Sequence, residues 1–562
     1  MKIGIDLDNT IISYDKSFAF VGKKIGLIPE NWFGTKLEVR EFLRESKGGE
    51  NKWQRLQGKV YGRYIHCAEL YPGVYRFLWR CKKKGIPVDI VSHKTEYGHY
   101  DEENISLREA ALKFLIENGL YQTDKTGFVQ NVYFHDAKEE KVKRIERENY
   151  SYFIDDLKEI LIHPFLAKIQ KKFFFDPHQT SYGFEEGNIN QVNHWNEIEH
   201  SILGKYNQED LIYFKNEFNL PELKNAYWCE GQGNSRIAYL ETLDSAKFAL
   251  KLYPSDSDHN RLNSEFFGFR LLHKNLIKNV PEPIYYNEKL NCGVYSWVEG
   301  EKILSSSKIG LDAMLDMMKN LSLIAKSDLP NEISKASASC FSGLDIENQI
   351  QRRLKLLYPA TESYKDLKSF LEMELIPFKD FLIEWVKKKW GGEESYSSPI
   401  PKEFLILSPS DFGFHNMLKN KNGEFIFLDF EYFGWDDPVK LIVDVSFHPA
   451  MNLQEDERNY WKNGMFSIFG DFLEEKYEIT WAMYSLCWCL ILLNEFRKDI
   501  WIRRVLANSN KQNHKVEILE KQLGKSIHLF EYIQKKFYTQ IEKFSIFGDF
   551  LEEKYEITWA MY

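Results

Sequence analysis

The chain has no Cys-x-x-Cys pair, although it holds seven cysteines, at 67, 81, 229, 292, 340, 487 and 489. An odd count without paired spacing argues against a disulfide framework and against a zinc site. It fits buried, reduced thiols, and reduced thiols point to a cytoplasmic protein. The opening Met1-Lys2-Ile3-Gly4-Ile5-Asp6 lacks the apolar core of a secretion signal. The apolar run Leu486–Leu493 ends at Asn494-Glu495 and is too short to span a bilayer. A Gly-x4-Gly-Lys-Ser/Thr loop is missing, and so is any strongly basic run. With a formal net charge of -9, neither nucleic acid nor an anionic membrane is an expected partner.

What is present is enough material for several cores. A length of 562 residues sets an expectation of two to four domains. An apolar share of 43% and a charged share of 28% suit an ordinary globular chain. Three short apolar segments, Lys2–Asp6, Ile86–Ser92 and Tyr152–Asp156, each end in polar residues and are separated by helical sequence. That alternation predicts a parallel α/β sheet over about 1–195. Ligands of such sheets gather at the carboxyl ends of the strands, where all three polar clusters fall. The stretch 16–70 is helical and rich in Trp and Tyr, and is expected to form a cap over that edge. Residues 196–224 read as a helical junction.

The pattern then changes. From Tyr227 to Tyr253 it reads as strand, glycine turn, strand, strand. A helix with Glu265 follows, then strands near Pro283–Tyr286 and Gly293–Val298. This predicts a small antiparallel lobe over 225–300 and a mainly helical lobe over 301–543, an α+β domain in two parts. Residues 466–484 recur without a change as 544–562. Structural repeats drift, so an identical copy reads as a recent duplication or an artefact, and the tail is expected to be dispensable.

Two groups of residues carry chemistry. In the first, Asp6 and Asp8 leave one strand end two residues apart. One can attack a phosphoryl group while the other handles the leaving-group proton. Asp155 and Asp156 can hold Mg²⁺ beside Asp6, since that ion prefers carboxylates and waters. Ser92 can bond a phosphate oxygen, and Lys138 or Lys141 can add a fixed cation. The order Asp-x-Asp-x-Thr (Asp6, Asp8, Thr10), Ser after a second strand, Lys, then Asp-Asp resembles the haloacid dehalogenase (HAD) superfamily over about residues 1–180. The resemblance implies a Rossmann-type fold and a phosphomonoester substrate. Asp6 would form an aspartyl-phosphate and Asp8 would be the acid/base. Thr10, Ser92 and one lysine would be phosphate ligands. Asp6, Asp155, Asp156 and the Asp8 carbonyl would be metal ligands.

The second group is Asp411, Asn416 five residues on, and Asp429 at the end of the strand Glu424–Leu428. Asn416 and Asp429 can coordinate Mg²⁺ on a nucleotide while Asp411 orients an acceptor hydroxyl. Upstream, Lys251 can hold phosphates, with Glu265 as its ion-pair partner. The turn containing Gly231, Gly233, Asn234 and Ser235 can present backbone N–H groups to phosphate. Together these resemble the aminoglycoside phosphotransferase and choline kinase group, of protein-kinase-like fold, over about 225–500. The resemblance implies ATP or GTP as donor and a small hydroxyl-bearing acceptor. It departs at Pro409-Ser410, where the family has His-Gly, and at Asp444, the counterpart of a later family Asp after Gly-Asp-Pro. The resulting expectation is a bifunctional phosphatase and kinase. Alternatives are a phosphatase regulated by a nucleotide-binding but weakly catalytic domain, and a kinase that modifies aminoglycosides. The sequence leaves the oligomeric state open.

Overall fold

The computed structural model describes all residues except 33, 101, 125, 179–184, 231–234, 256–258, 328–332, 508–512 and 544–562. Gly231, Gly233, Asn234 and the duplicated tail therefore lie outside the described residues. The chain divides into two compact units, 1–258 with 285–294, and 259–284 with 295 onward.

The first unit opens with β1 (Ile3–Ile5), followed by three helices: α1 (Asp15–Lys24), α2 (Lys36–Arg44) and α3 (Gly49–Tyr61). After α4 (Val74–Lys83) come β2 (Val88–His93), α5 (Leu107–Glu117), β3 (Asn131–His135), α6 (Lys138–Glu148), β4 (Tyr152–Asp155) and β5 (Lys171–Phe175). Then β6 (Glu185–Glu186) and β7 (Ile189–Val192) lead into α7 (Trp195–Leu203) and α8 (Gln208–Glu217). The sheet order is β3-β2-β1-β4-β5-β7-β6. Six strands run parallel, and β6 alone is antiparallel, at the edge. The expected parallel sheet is therefore present, with the three polar clusters at the carboxyl ends of β1, β2 and β4.

The sheet is covered on both faces. Ile3, Ile5, Val88 and Ile90 pack toward α1, α3, α4 and α7, whereas Val91, Phe153 and Phe174 pack toward α6. Burial on both sides explains why β1 is a continuous apolar run rather than an alternating one. Gly4 is required by packing, because a Cβ there would lie 2.6 Å from the Phe153 ring and 2.8 Å from that of Tyr150.

A second sheet begins in the same unit. It comprises β8 (Leu223–Trp228), β9 (Arg236–Thr242), β10 (Lys247–Leu252), β11 (Pro283–Asn287) and β12 (Cys292–Ser296), in the order β8-β9-β10-β12-β11. The pairs β8–β9 and β9–β10 are antiparallel. The span read as a helical junction is helical, and part of it is built into a core. Leu211 and Phe214 of α8 share one core with Trp79 of α4 and with Leu240, Leu250 and Val294 of the second sheet. Arg80, fully buried, donates to Asp210 at 3.0 Å and to Glu199 at 3.2 Å. Arg76 donates to the Tyr253 carbonyl at 2.9 Å.

The second unit opens with α9 (Arg261–Lys274) and is otherwise mostly helical. Its irregular centre carries β13 (Ile406–Ser408), β14 (Met417–Lys419), β15 (Phe425–Phe427) and β16 (Gly434–Asp436). Pairing is antiparallel, β14 with β15 and β13 with β16. Asp437 caps α10 (Pro438–Phe447) by accepting from the Val439 N–H at 2.9 Å. Leu486–Leu493 proves to be part of a longer helical stretch, Asp471–Phe496, which is long and apolar enough to cross a membrane. Its apolar window is 78% buried inside the protein, with Cys487 and Cys489 among the buried side chains.

Candidate active sites

The first site forms where β1 ends. The Asp6 N–H still belongs to the sheet, donating to the Ile154 carbonyl at 2.9 Å. Its side chain emerges beside β4. Lys141 lies on the inner face of α6 with Val142 and Ile145, and its ammonium donates to Asp6 Oδ1 at 2.6 Å and Asp155 Oδ2 at 2.7 Å. Lys138, one turn earlier, is 44% exposed and pairs with Glu159 on the surface. The structure thus brings Lys141 to the site and leaves Lys138 outside it. A residue at the exposed start of a helix and one on its buried face look alike in sequence.

Oxygen atoms of Asp6, Asp155 and Asp156 lie within 4.8 Å of one another. Burial raises the Asp6 carboxyl well above its usual range. Lys141 opposes that shift, and Asp155 and Asp156 reinforce it. Burial and the neighbouring Asp155 push Asp156 up to about 7. Three crowded carboxylates, those of Asp6 and Asp156 with raised proton affinity, make an all-oxygen donor set that fits a hard divalent cation such as Mg²⁺.

Asp8 is held apart from this cluster. It accepts from Lys94 Nζ at 2.7 Å and from the Tyr14 hydroxyl at 2.6 Å. Asn9 takes a left-handed backbone (φ of 58°), and its side-chain oxygen accepts from Lys36 at 2.7 Å. The hydroxyls of Thr10 and Ser92 are buried without a hydrogen-bond partner. Neither residue is part of the cavity wall, although Ser92 stands at the end of β2 beside Lys94. That cavity, about 440 Å³, is lined by Asp6, Asp8, Asp156, Lys94 and Lys141 on the sheet side and by α2 and α3 on the other. Sequence reasoning missed Lys94, Tyr14, Lys36 and Arg40. Lys94 carried a usable signal, two residues after Ser92 at a strand end. The other three reach the site only through the packing of helices.

The second site is built on the loop between β13 and β14. His415 Nε2 lies 2.8 Å from Asp411 Oδ1, and the Asn416 amide donates to the Asp411 carbonyl at 2.9 Å. The His448 ring stacks on that of His415 at 4.3 Å and 12°, with its own Nε2 3.8 Å from Asp411. Burial pushes the Asp411 carboxyl up, but the His415 hydrogen bond and both imidazoles more than offset it. The group stays below its usual range and is ionised at neutral pH. Asp429 follows β15 in a left-handed conformation (φ of 62°). Its carboxylate lies within 4.8 Å of those of Glu265 and Glu431. Arg261 pairs with Glu431 at 2.7 Å. This second oxygen cluster also suits a hard cation, and it includes Glu265, which the sequence had suggested as a lysine partner. Asp444 is bound by Lys440 at 2.9 Å and by the Trp488 indole at 2.8 Å. Lys251 is buried on β10 in the first unit, and Ser235 is half-buried just before β9.

No protein-family model matches the chain. No characterised protein sequence matches it either. Several solved structures are similar to it. A spectinomycin phosphotransferase in complex with ADP and spectinomycin matches at 12% identity over 58% of this chain and 98% of its own, with a TM-score of 0.40. A choline kinase from Cryptosporidium parvum matches at 12% identity over 60% and 99%, also at 0.40. An ethanolamine kinase from Plasmodium vivax matches at 13% identity over 62% and 95%, at 0.39.

Proposed function

We propose that the chain carries two phosphoryl-transfer activities, a Mg²⁺-dependent phosphomonoester hydrolase of HAD type and an ATP- or GTP-dependent kinase acting on a small hydroxyl-bearing acceptor. The observation that carries the first is the separation of roles between two carboxylates at one strand end. Asp6 sits against Lys141 among potential metal ligands, whereas Asp8 sits two residues away with hydrogen-bond donors of its own.

In the first step an Asp6 oxygen attacks phosphorus, the ester P–O bond breaks, and the departing alkoxide takes a proton from Asp8. A water then gives a proton to Asp8 and attacks the same phosphorus. The bond to Asp6 breaks and inorganic phosphate leaves. Asp6, Asp155 and Asp156 would hold Mg²⁺, which lowers the repulsion between carboxylate and phosphate. Lys141 holds the Asp6 carboxylate in place and supplies a cation that stays charged. In the second site the ionised Asp411 orients the acceptor hydroxyl and receives its proton, with Asn416 and Asp429 as the metal-binding pair.

The test uses full-length protein with phosphate release and nucleotide consumption read separately. Asp8→Asn should lower phosphate release by about 10²–10⁴-fold and leave nucleotide consumption intact. Asp411→Ala should do the reverse. Kinase turnover unchanged in Asp411→Ala would remove the kinase assignment. Nucleotide binding without consumption across a panel of acceptors would make the second domain a sensor rather than a kinase.

A further inference from the structure

The two walls of the phosphatase cavity differ in charge. Among the described residues, every carboxylate in it comes from the sheet side, from Asp6, Asp8 and Asp156. The helical wall contributes Lys36 and Arg40 from α2, and Trp53, Gln54, Gln57 and Tyr61 from α3, with no acid among them. Thr35 starts α2 with a capping box to Glu38. That start places Lys36 in the first turn and Arg40 four residues on, so the two side chains are neighbours on one helix surface.

Among the described residues neither cation makes a direct ion pair with a carboxylate, although the charges of Asp156 and Asp8 help to keep the Lys36 ammonium protonated. Among the described residues the Lys36 ammonium hydrogen-bonds Asn9 Oδ1 at 2.7 Å and the Tyr61 hydroxyl at 3.2 Å, with the Tyr14 and Phe18 rings close by. Arg40 Nε is buried with no hydrogen-bond partner, and Glu50 of α3 is paired with Arg44 instead. Elsewhere in the cavity, Lys94 is bound to Asp8 and Lys141 to Asp6 and Asp155. Two neighbouring cations at the cavity, one of them with a buried N–H left unsatisfied, offer charge-assisted donors to an anionic ligand.

We propose that Lys36 and Arg40 form an anion subsite for the leaving group, and that the substrate is a phosphomonoester bearing a second anionic group, a carboxylate or another phosphate. This rests on the phosphatase reading above. The reacting phosphate faces the sheet edge, and the second anion faces α2.

The test is Mg²⁺-dependent phosphate release by the full chain from two matched pairs. The carboxylate pair is 3-phosphoglycerate against glycerol 3-phosphate. The phosphate pair is fructose 1,6-bisphosphate against fructose 6-phosphate. At least one pair should show kcat/KM higher for the doubly anionic member by about tenfold or more, and which pair does so identifies the second anion. Arg40→Gln should erase that preference through KM, and Arg40→Lys should restore part of it. An unshifted thermal unfolding curve for Arg40→Gln separates lost recognition from lost fold, and Lys36→Met gives a second reading. Equal kcat/KM within both pairs, or a preference that survives both substitutions, overturns the subsite and leaves the phosphatase standing. No phosphate release from any of the four removes the phosphatase reading itself.

Discussion

Asp156 illustrates how one residue can tie a fold to an ion. Burial and Asp155 lift its carboxyl from near 3.8 up to about 7. Without a cation the folded protein then keeps a proton that the unfolded chain gives up near pH 4. Folding stability from this group is complete below that point and is lost as pH rises toward 7. Cation binding has the opposite sign, because it needs the proton gone. Mg²⁺ affinity should therefore strengthen as pH is raised through about 7, with proton release on binding. Calorimetric titration in buffers of different ionisation enthalpy measures both, and a Mg²⁺ affinity flat from pH 6 to 8 would contradict it. Asp155 and Asp156 were legible in the sequence as a pair after a strand. Which of them meets Lys141 was not, because that depends on how α6 lies against the sheet.

At the scale of elements, the loop between β13 and β14 accounts for a sequence oddity. The family resembled has Gly before its catalytic Asp, and this chain has Ser410. The backbone there is left-handed all the same, with φ of 64°. Glycine is not used here, although it is the residue best suited to that conformation. Two local bonds hold it, from Ser410 N–H to Ser408 Oγ at 3.1 Å and from Ser410 Oγ to the Tyr432 carbonyl at 3.2 Å. A left-handed non-glycine residue costs roughly 1–2 kcal/mol, so Ser410→Gly should stabilise the protein by up to about 1 kcal/mol after losing the side-chain bond. Denaturant unfolding of the variant checks this, and a loss of stability would show that the Tyr432 contact outweighs the strain. The strands themselves were readable because each is apolar and ends in polar residues. Helices α2 and α3 were readable as helices but not as a wall of donors. Facing direction follows from tertiary packing, which a single amphipathic pattern does not fix.

Across the whole molecule, composition changes near residue 225, yet packing does not follow it. Helix α8 falls in the span read as a helical junction, with Leu211 and Phe214 few among charged neighbours. Those two rest on Trp79, and Asp210 neutralises the buried Arg80. Removing the indole by Trp79→Ala should cost ~3–5 kcal/mol. Hydrogen exchange should then speed up together in β1 and in β9, since the lost ring supports α4 on one side and the second sheet on the other. Faster exchange in β9 with β1 unchanged would mean that the two sheets open independently.

The shared Trp79 core also has a consequence for descent. Recombination exchanges modules most easily where few contacts cross the joint. A crossover placed where this sequence changes character would give a new partner a helix whose tryptophan and arginine face foreign neighbours. Separated at that joint, the parallel sheet and the strands that follow it would each have a flank to rebuild.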